Sequence, residues 1–448
     1  MDVKVLAGVL SGSVNAIPSK SQAHRALICA ALGDAALAGN ATTRIECDGG
    51  SKDITATAAC LSALGADIRQ EQGSYIVRPL KRAADNAAVT LPCAESGSTF
   101  RFLLPVACAL GKKASFVLEG RLPERPLSPL YEELVRHGCA LSPQGANPFR
   151  AEGKLTPGIY SLDAGVSSQF ISGLLFALPL LDGDSELRLT GQIESFPYIG
   201  LTMSMLETFG VKIEFKDEIF SIPGGQKYRS PGTVKIEGDW SNAAFWLTAG
   251  ALGEGRGVTC DSLDLQSRQG DRAILKILES FGAKVEKSGS SVTVCGAAKA
   301  SGAAEAGGKL RGIEIDARDI PDLVPILAVA AAAAEGTTVI RNAGRLRAKE
   351  SDRLAAVSSV LNELGADVRV TDDGLLVNGA AINRSAGVLK GGKVSSWGDH
   401  RIAMAAAVAA SICGEPVVIC GAEAVNKSYP GFFDDLRLLG GSVEVIRR

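Results

Sequence analysis

A chain of 448 residues with 46% apolar and 21% charged side chains is too long for one ordinary core and apolar enough to fill two of roughly 200 residues each. Its formal net charge of -2 excludes coating nucleic acid or an anionic membrane through bulk charge, so any anion site must be local. The longest apolar run, Leu323 to Ala334, falls well short of the ~20 residues that span a bilayer, and "MDVKVLAGVL" lacks the basic segment and apolar core of a secretory signal. The expectation is a cytoplasmic protein without membrane or nucleic-acid partners. Ten cysteines never approach within a C-x-x-C spacing, and the three histidines form no H-x-x-x-H. Cys29, Cys60 and Cys108 lie in Ala/Leu-rich segments and read as reduced core fillers; no metal and no cofactor are expected.

In chain order, six segments repeat one pattern of short β-branched strand, polar loop and small-residue helix. They are "SVNAIPSKSQAHRALICAAL", "VTLPCAESGSTFRFLLPVACAL", "IYSLDAGVSSQFISGLLFALPLL", "TVKIEGDWSNAAFWLTAGAL", "IEIDARDIPDLVPILAVAAAAA" and "KVSSWGDHRIAMAAAVAA". A second strand, loop and helix follow each, and the second helix ends on a glycine: Gly65, Gly138, Gly210, Gly282, Gly365 and Gly440, spaced 73, 72, 72, 83 and 75 apart. Glycine just past a helix predicts a left-handed stop, with the alternating residues after it forming a strand. The six units split three and three near residues 227–240, which predicts one globe over 19–235 and a second over 1–18 plus 236–448, joined by two crossovers. If the helices of a globe run parallel, their N-terminal N–H groups and positive dipole ends gather on one side, each worth about 0.3–1 kcal/mol to an exposed anion.

The loops at those ends carry basic residues, hydroxyls and a few carboxylates. Unit one supplies Lys20, Ser21 and Arg25; unit two Gly97, Ser98, Arg101, Arg121 and Arg125; unit three Ser167, Ser168, Gln169, Ser195 and Tyr198. Unit five supplies Asp316, Asp319 and Asp322, then Arg345, Arg347, Lys349, Glu350 and Arg353; unit six supplies Asp399, His400, Arg401 and Lys427. Arginine and backbone amides suit phosphate and carboxylate, and serine suits phosphate or sugar-like hydroxyls. Singly, each has a plain alternative: Arg101 or Arg121 as a solvated surface residue, "SSQ" as a helix cap, Asp316 and Asp319 as turn formers, "AKESDR" as a charged first turn. Recurrence at equivalent loops in five of six units outweighs these alternatives; unit four, poor in such residues, reads as structural. Asp322 and Glu350 in loops of one unit supply a base and an acid, without indicating which is which.

The motifs "SKSQAHR", "ESGSTFRFLLP", "ERP", "SSQF", "SFPYI", "IPD", "KESDRL", "GDHRIAM" and "NKSYPGFF" run in the order and spacing of the 5-enolpyruvylshikimate-3-phosphate synthase family, which the whole chain resembles. The resemblance implies a two-domain inside-out α/β barrel, each domain built from three βαβαββ units and the first strand paired back with the C-terminal half. It implies transfer of the enolpyruvyl group of phosphoenolpyruvate to the 5-hydroxyl of shikimate 3-phosphate, with phosphate released, by a monomeric enzyme. Shikimate 3-phosphate would meet Ser21, Arg25, Ser167, Ser168, Ser195, Asp322 and Lys349; phosphoenolpyruvate would meet Lys20, Gly97, Arg125, Gln169, Arg353, Arg401 and Lys427. By the same resemblance Asp322 takes the hydroxyl proton, Glu350 handles the proton at the methylene carbon with Lys20 as a partner, and His24 supports its helix. Departures are Glu95 and Arg345, each where many relatives have asparagine, and Phe102 where many have proline. Two other readings stand beside this one: the sister transferase acting on UDP-N-acetylglucosamine, which uses a loop cysteine absent from "GRLPERP", and a non-catalytic anion-binding repeat protein.

Overall fold

The computed structural model describes residues 1–34, 42–81, 88–253, 257–296, 310–379 and 388–446. The chain divides into two compact units, residues 18–236 and residues 1–17 with 237–448. In the first lie helices α1 (Lys20–Ala31), α2 (Lys52–Ala63), α3 (Gly97–Ala109), α4 (Leu130–Arg136), α5 (Ser168–Ala177) and α6 (Phe196–Thr208). The second holds α7 (Trp240–Leu252), α8 (Ile274–Phe281), α9 (Val324–Ala332), α10 (Arg353–Glu363), α11 (His400–Ala409) and α12 (Phe432–Leu438).

Each unit carries three four-stranded sheets of one topology. In the sheet flanking α3, Val89–Ala94 runs parallel to Ala114–Leu118, which pairs antiparallel with Phe149–Gly153, and Cys139–Leu141 closes the far edge. The parallel step requires a crossover, which α3 supplies, whereas the last two strands of repeats one to five form a hairpin. Gln72-Gly73 and Asp217-Glu218 both sit at positive φ, the tight turn whose twist matches that of its strands. Along the strands buried and exposed residues alternate, as in Thr43–Glu46 and Ile159–Asp163, so each sheet turns one face to the core and one to water.

Helices fill the middle, which makes the arrangement inside-out. Every residue of α7, α9 and α11 is buried, and these three helices pack on one another. Their runs of alanine, such as "AVAAA" and "AMAAAVA", allow helices to pack closely with no charged side chain to solvate. The second helix of each repeat buries one stripe only: in α8 this is Ile274, Leu275, Leu278 and Phe281, spaced by one, three and three residues. All six glycines that follow these second helices have φ between +76° and +109°, the left-handed stop expected from sequence.

Sheet membership departs from chain order at two points. The strand Gly12–Asn15, which precedes α1, pairs parallel with Val258–Asp261 in the second unit, and Thr233–Lys235, which precedes α7, pairs parallel with Thr43–Glu46 in the first. Repeats one and four thus exchange their opening strands; "TVKIE", read above with the helix that follows it, belongs to the sheet of the first repeat. The N-terminal strand Asp2–Val5 lies inside a sheet, between Val417–Cys420 and Val443–Ile446.

Candidate active site

In the unit formed by residues 18–236, polar rungs tie the helix N-termini together. Lys20 Nζ donates to Asp53 Oδ2 at 2.9 Å, and one turn further His24 Nδ1 meets Thr57 Oγ1 at 2.6 Å. Both rungs advance four residues on each helix, so α1 and α2 run side by side in one direction. Thr57 Oγ1 continues to Thr99 Oγ1 at 2.6 Å and Thr99 to Ser96 Oγ at 2.7 Å, which brings in the N-terminus of α3. Burial drives the His24 imidazole down to about 3, with Asp53 opposing and Lys20 and Arg25 assisting, so the ring is neutral and structural.

Three arginines of this unit, Arg25, Arg101 and Arg125, stand by these helix starts. Arg25 is buried and donates to Thr202 Oγ1, to the Ser21 carbonyl and to the Tyr198 carbonyl at 2.8, 2.6 and 2.9 Å, with its guanidinium 5.1 Å above the Phe102 ring. Burial lowers it to about 10, which leaves it charged at neutral pH. Arg101 donates to Gln169 Oε1 at 2.9 Å, and Gln169 Nε2 to Ser98 Oγ at 2.9 Å, linking the first turns of α3 and α5. Arg125 lies against the start of α3 so closely that a Cβ on Gly97 would stand 2.8 Å from its Nη1. Ser167 caps α5 through the Gln169 N–H, and Ser168 opens that helix. Ser195 is buried, left-handed (φ 55°) at the start of α6 and makes no side-chain cap, a conformation a non-glycine residue holds only under constraint.

The second unit holds a denser cluster around Arg353. This residue is 1% exposed, and its nitrogens meet three carboxylates: Nε with Asp399 Oδ2 at 2.8 Å, Nη1 with Asp322 Oδ1 at 2.7 Å, Nη2 with Glu350 Oε2 at 2.7 Å. Arg401 Nη2 takes the other Asp322 oxygen at 2.9 Å, and Lys427 Nζ stands 4.0 Å from Glu350 Oε1. Asp399 also caps α11 and accepts from Ser351 Oγ at 3.1 Å; His400 is buried 3.6 Å from it. Burial alone would raise the Asp322 carboxyl, but Arg401, Lys349 and Arg353 outweigh it and hold it well below the usual carboxylate range, with Glu350 opposing. Lys349 moves the other way, down to about 8: burial lowers it most, Asp322 and Glu350 raise it, Arg353 and Arg345 lower it.

The site residues expected from sequence thus fall into two groups. Lys20, Ser21, Arg25, Gly97, Arg125, Ser167, Ser168, Gln169 and Ser195 belong to the first unit, and Asp322, Lys349, Glu350, Arg353, Arg401 and Lys427 to the second. Within the second, direct contacts join Asp322, Glu350, Arg353, Arg401 and Lys427. Sequence reasoning left out Asp53, which holds Lys20, and named Asp399 among the loop residues without a role, whereas it holds Arg353; the available signal was an acidic residue in the first turn or cap of a helix whose loop is basic. The solvated-surface alternative for Arg101 does not hold: the residue is 5% exposed and bonded to Gln169. Asp316 accepts from the Arg318 N–H, the turn-forming alternative.

A two-unit fold of this topology, with basic helix ends and carboxylates gathered at one cluster, is that of the enolpyruvyl transferases. The EPSP synthase from Acinetobacter baumannii superposes with a TM-score of 0.80 at 24% identity over 99% of this chain and 100% of that one. The enolpyruvyl transferase NikO from Streptomyces tendae gives 0.76 at 20% identity over 99% and 98%. The profile of EPSP synthase (3-phosphoshikimate 1-carboxyvinyltransferase) matches residues 7–436, and the chain belongs to that family. The 3-phosphoshikimate 1-carboxyvinyltransferase of Clostridium kluyveri is 43% identical over 440 residues, 97% of this chain and 96% of the relative. That of Clostridium acetobutylicum is 44% identical over 448 residues, 98% of each.

Proposed function

We propose that this chain transfers the enolpyruvyl group of phosphoenolpyruvate to the 5-hydroxyl of shikimate 3-phosphate and releases phosphate, in the shikimate route to chorismate and the aromatic amino acids. Family membership supports the reaction, and the relatives' names favour it over transfer to UDP-N-acetylglucosamine or a binding role without turnover. The observation that carries the chemistry is the Arg353 cluster, which sets two carboxylates, Asp322 and Glu350, against arginines and lysine in one unit.

Four events make up the reaction. The 5-hydroxyl oxygen bonds to C2 of phosphoenolpyruvate while its proton passes to Asp322, and a proton from Glu350 reaches the methylene carbon. The resulting ketal phosphate then loses a proton from the new methyl group to Glu350, and the C–O bond to phosphate breaks, the departing phosphate taking up the proton that Asp322 had accepted. No net oxidation occurs, so the balance requires no redox cofactor. Lys20, Gly97, Arg125, Gln169, Arg353, Arg401 and Lys427 bind phosphoenolpyruvate in this reading, and Lys20 partners Glu350. Ser21, Arg25, Ser167, Ser168, Ser195, Asp322 and Lys349 bind shikimate 3-phosphate. A positioned acid or base contributes about 10²–10⁴-fold; the remaining acceleration comes from orientation and from cations aimed at the transferring phosphate.

The reading includes a cytoplasmic monomer. All ten cysteines are free, which suits a reducing compartment, and no helix among the described residues is long and apolar enough to cross a membrane. The test is phosphate release from purified protein given both substrates, with each omitted in turn and the product weighed. Release that needs both, with one enolpyruvyl group added to shikimate 3-phosphate, is expected. Release with UDP-N-acetylglucosamine in its place, or none, would overturn the reading.

A further inference from the structure

Asp322 is held in the manner of a bound ligand. Its two oxygens are taken by two different guanidiniums, Oδ1 by Arg353 Nη1 at 2.7 Å and Oδ2 by Arg401 Nη2 at 2.9 Å, while Arg401 Nη1 also reaches its carbonyl at 3.3 Å. An arginine pair offers the same forks to the carboxylate or phosphate of a small molecule. The other carboxylates of the cluster stand differently. Asp399 is 0% exposed, is fixed by the Ser351 hydroxyl and the Arg401 backbone N–H, and occupies the Nε side of Arg353. Asp322 keeps 21% of its side chain open to solvent and sits on the short turn Pro321–Leu323, so it lies on the accessible side of the arginine pair.

Charge gives the same picture. Lys349, Arg353, Arg401 and Lys427 set positive charge around the carboxyl groups of Asp322, Glu350 and Asp399. An anion that engages both arginines must meet the Asp322 oxygens first.

We propose that Asp322 is an internal competitor for the anion seat of Arg353 and Arg401, occupying it when the site is empty and yielding it when a multiply charged ligand arrives. The proposal deepens the functional reading above and rests on its assignment of the two arginines to phosphoenolpyruvate. Two consequences follow from the physics of a pre-occupied site. The apparent Kd of every anion is its intrinsic Kd divided by the fraction of time the seat is vacant, which keeps weakly bound monoanions such as chloride or formate off. A ligand with several charges and several contacts still binds. Displacement also releases the Asp322 carboxylate from the arginine that depresses its basicity, so arrival of the phosphoryl substrate itself equips Asp322 to accept a hydroxyl proton.

The experiment is a calorimetric titration of the full chain with inorganic phosphate, in the absence of both substrates, at pH 7.5 and fixed ionic strength. Asp322→Asn keeps the shape and removes the competing charge, and phosphate is expected to bind it at least about tenfold more tightly than the parent. Asp322→Glu, which keeps the charge, is expected to return affinity to within about threefold of the parent. Asp322→Ser serves as a second neutral variant should the asparagine form fail to fold. Unchanged or weaker phosphate binding by the neutral variants overturns the proposal. Arg401→Ala in the Asp322→Asn background separates this from the underlying reading: a loss of the gained affinity places phosphate on the arginine pair, whereas no loss overturns the assignment of that pair as the anion seat and the proposal with it.

Discussion

At the scale of single residues, the chemistry is governed by which charged groups are buried together. Lys349 is pushed down to about 8, well below a free lysine, because burial costs its ammonium more than Asp322 and Glu350 return. Above pH 8 the ligand-free enzyme therefore loses a cation assigned to shikimate 3-phosphate. KM for that substrate is expected to rise by up to about tenfold per pH unit between pH 8 and 10, and Lys349→Arg to flatten the rise. Steady-state kinetics across that range checks it; a flat KM in the parent would count against the assignment. Stability has the opposite sign: with the folded pKa below the unfolded one, the unfolded chain binds the extra proton, so this group favours folding more as pH rises from 8 towards 10.5. Gly97 is a second test. An added methyl would meet Arg125 Nη1 at 2.8 Å, the mobile end of a side chain and not backbone. Gly97→Ala is expected to displace Arg125 and raise KM for phosphoenolpyruvate several-fold, with the melting temperature little changed. An unchanged KM for phosphoenolpyruvate would show that Arg125 does not serve it.

At the scale of elements, hydroxyl and imidazole rungs tie the helix starts of the first unit together. The chain from His24 through Thr57 and Thr99 to Ser96 is buried throughout, so a break leaves polar atoms without partners. Thr57→Val keeps the volume and removes two of these bonds; the expected cost is about 1–3 kcal/mol, read as a lower midpoint in urea with unchanged slope. A midpoint equal to the parent's would mean the rungs add nothing. Much at this scale was legible in the sequence. The glycine stops follow a local steric rule, and Ser167 announces its cap through its position before α5. The partners of the rungs were not legible: Asp53 lies 33 residues from Lys20 and Asp399 lies 46 from Arg353, separations at which local pattern carries no information. Arg101 was ambiguous for the same reason, since its burial depends on Gln169 from another repeat.

For the whole molecule, the exchange of opening strands decides which segments can fold alone. All three sheets of the first unit are built from residues 43–235, so the fragment 18–236 contains every strand it needs. The second unit depends on Asp2–Val5, an interior strand of one sheet, and on Gly12–Asn15, the edge of another. Fragment 18–236 is expected to unfold cooperatively in urea, and fragment 237–448 to lack a cooperative transition unless residues 1–17 are supplied. Circular dichroism with denaturant reads both; a cooperative 237–448 would contradict the dependence on the N-terminal strands. The pattern alone hid the exchange because "SVNAI" and "TVKIE" have the same alternation and suit either sheet; only the return of the first strand was implied, by the family resemblance. The order of repeats was readable because one steric and apolar pattern recurs six times, whereas sheet membership is a property of the assembled units.

The central claim is that Asp322 and Glu350, gathered on Arg353, perform the proton transfers. The most direct measurement is the rate of phosphate release at saturating phosphoenolpyruvate and shikimate 3-phosphate for the parent, Asp322→Asn and Glu350→Gln, each confirmed folded by its urea transition. Both substitutions are expected to lower kcat by about 10²–10⁴-fold. A parental kcat in either variant would contradict the claim and move the chemistry to another group.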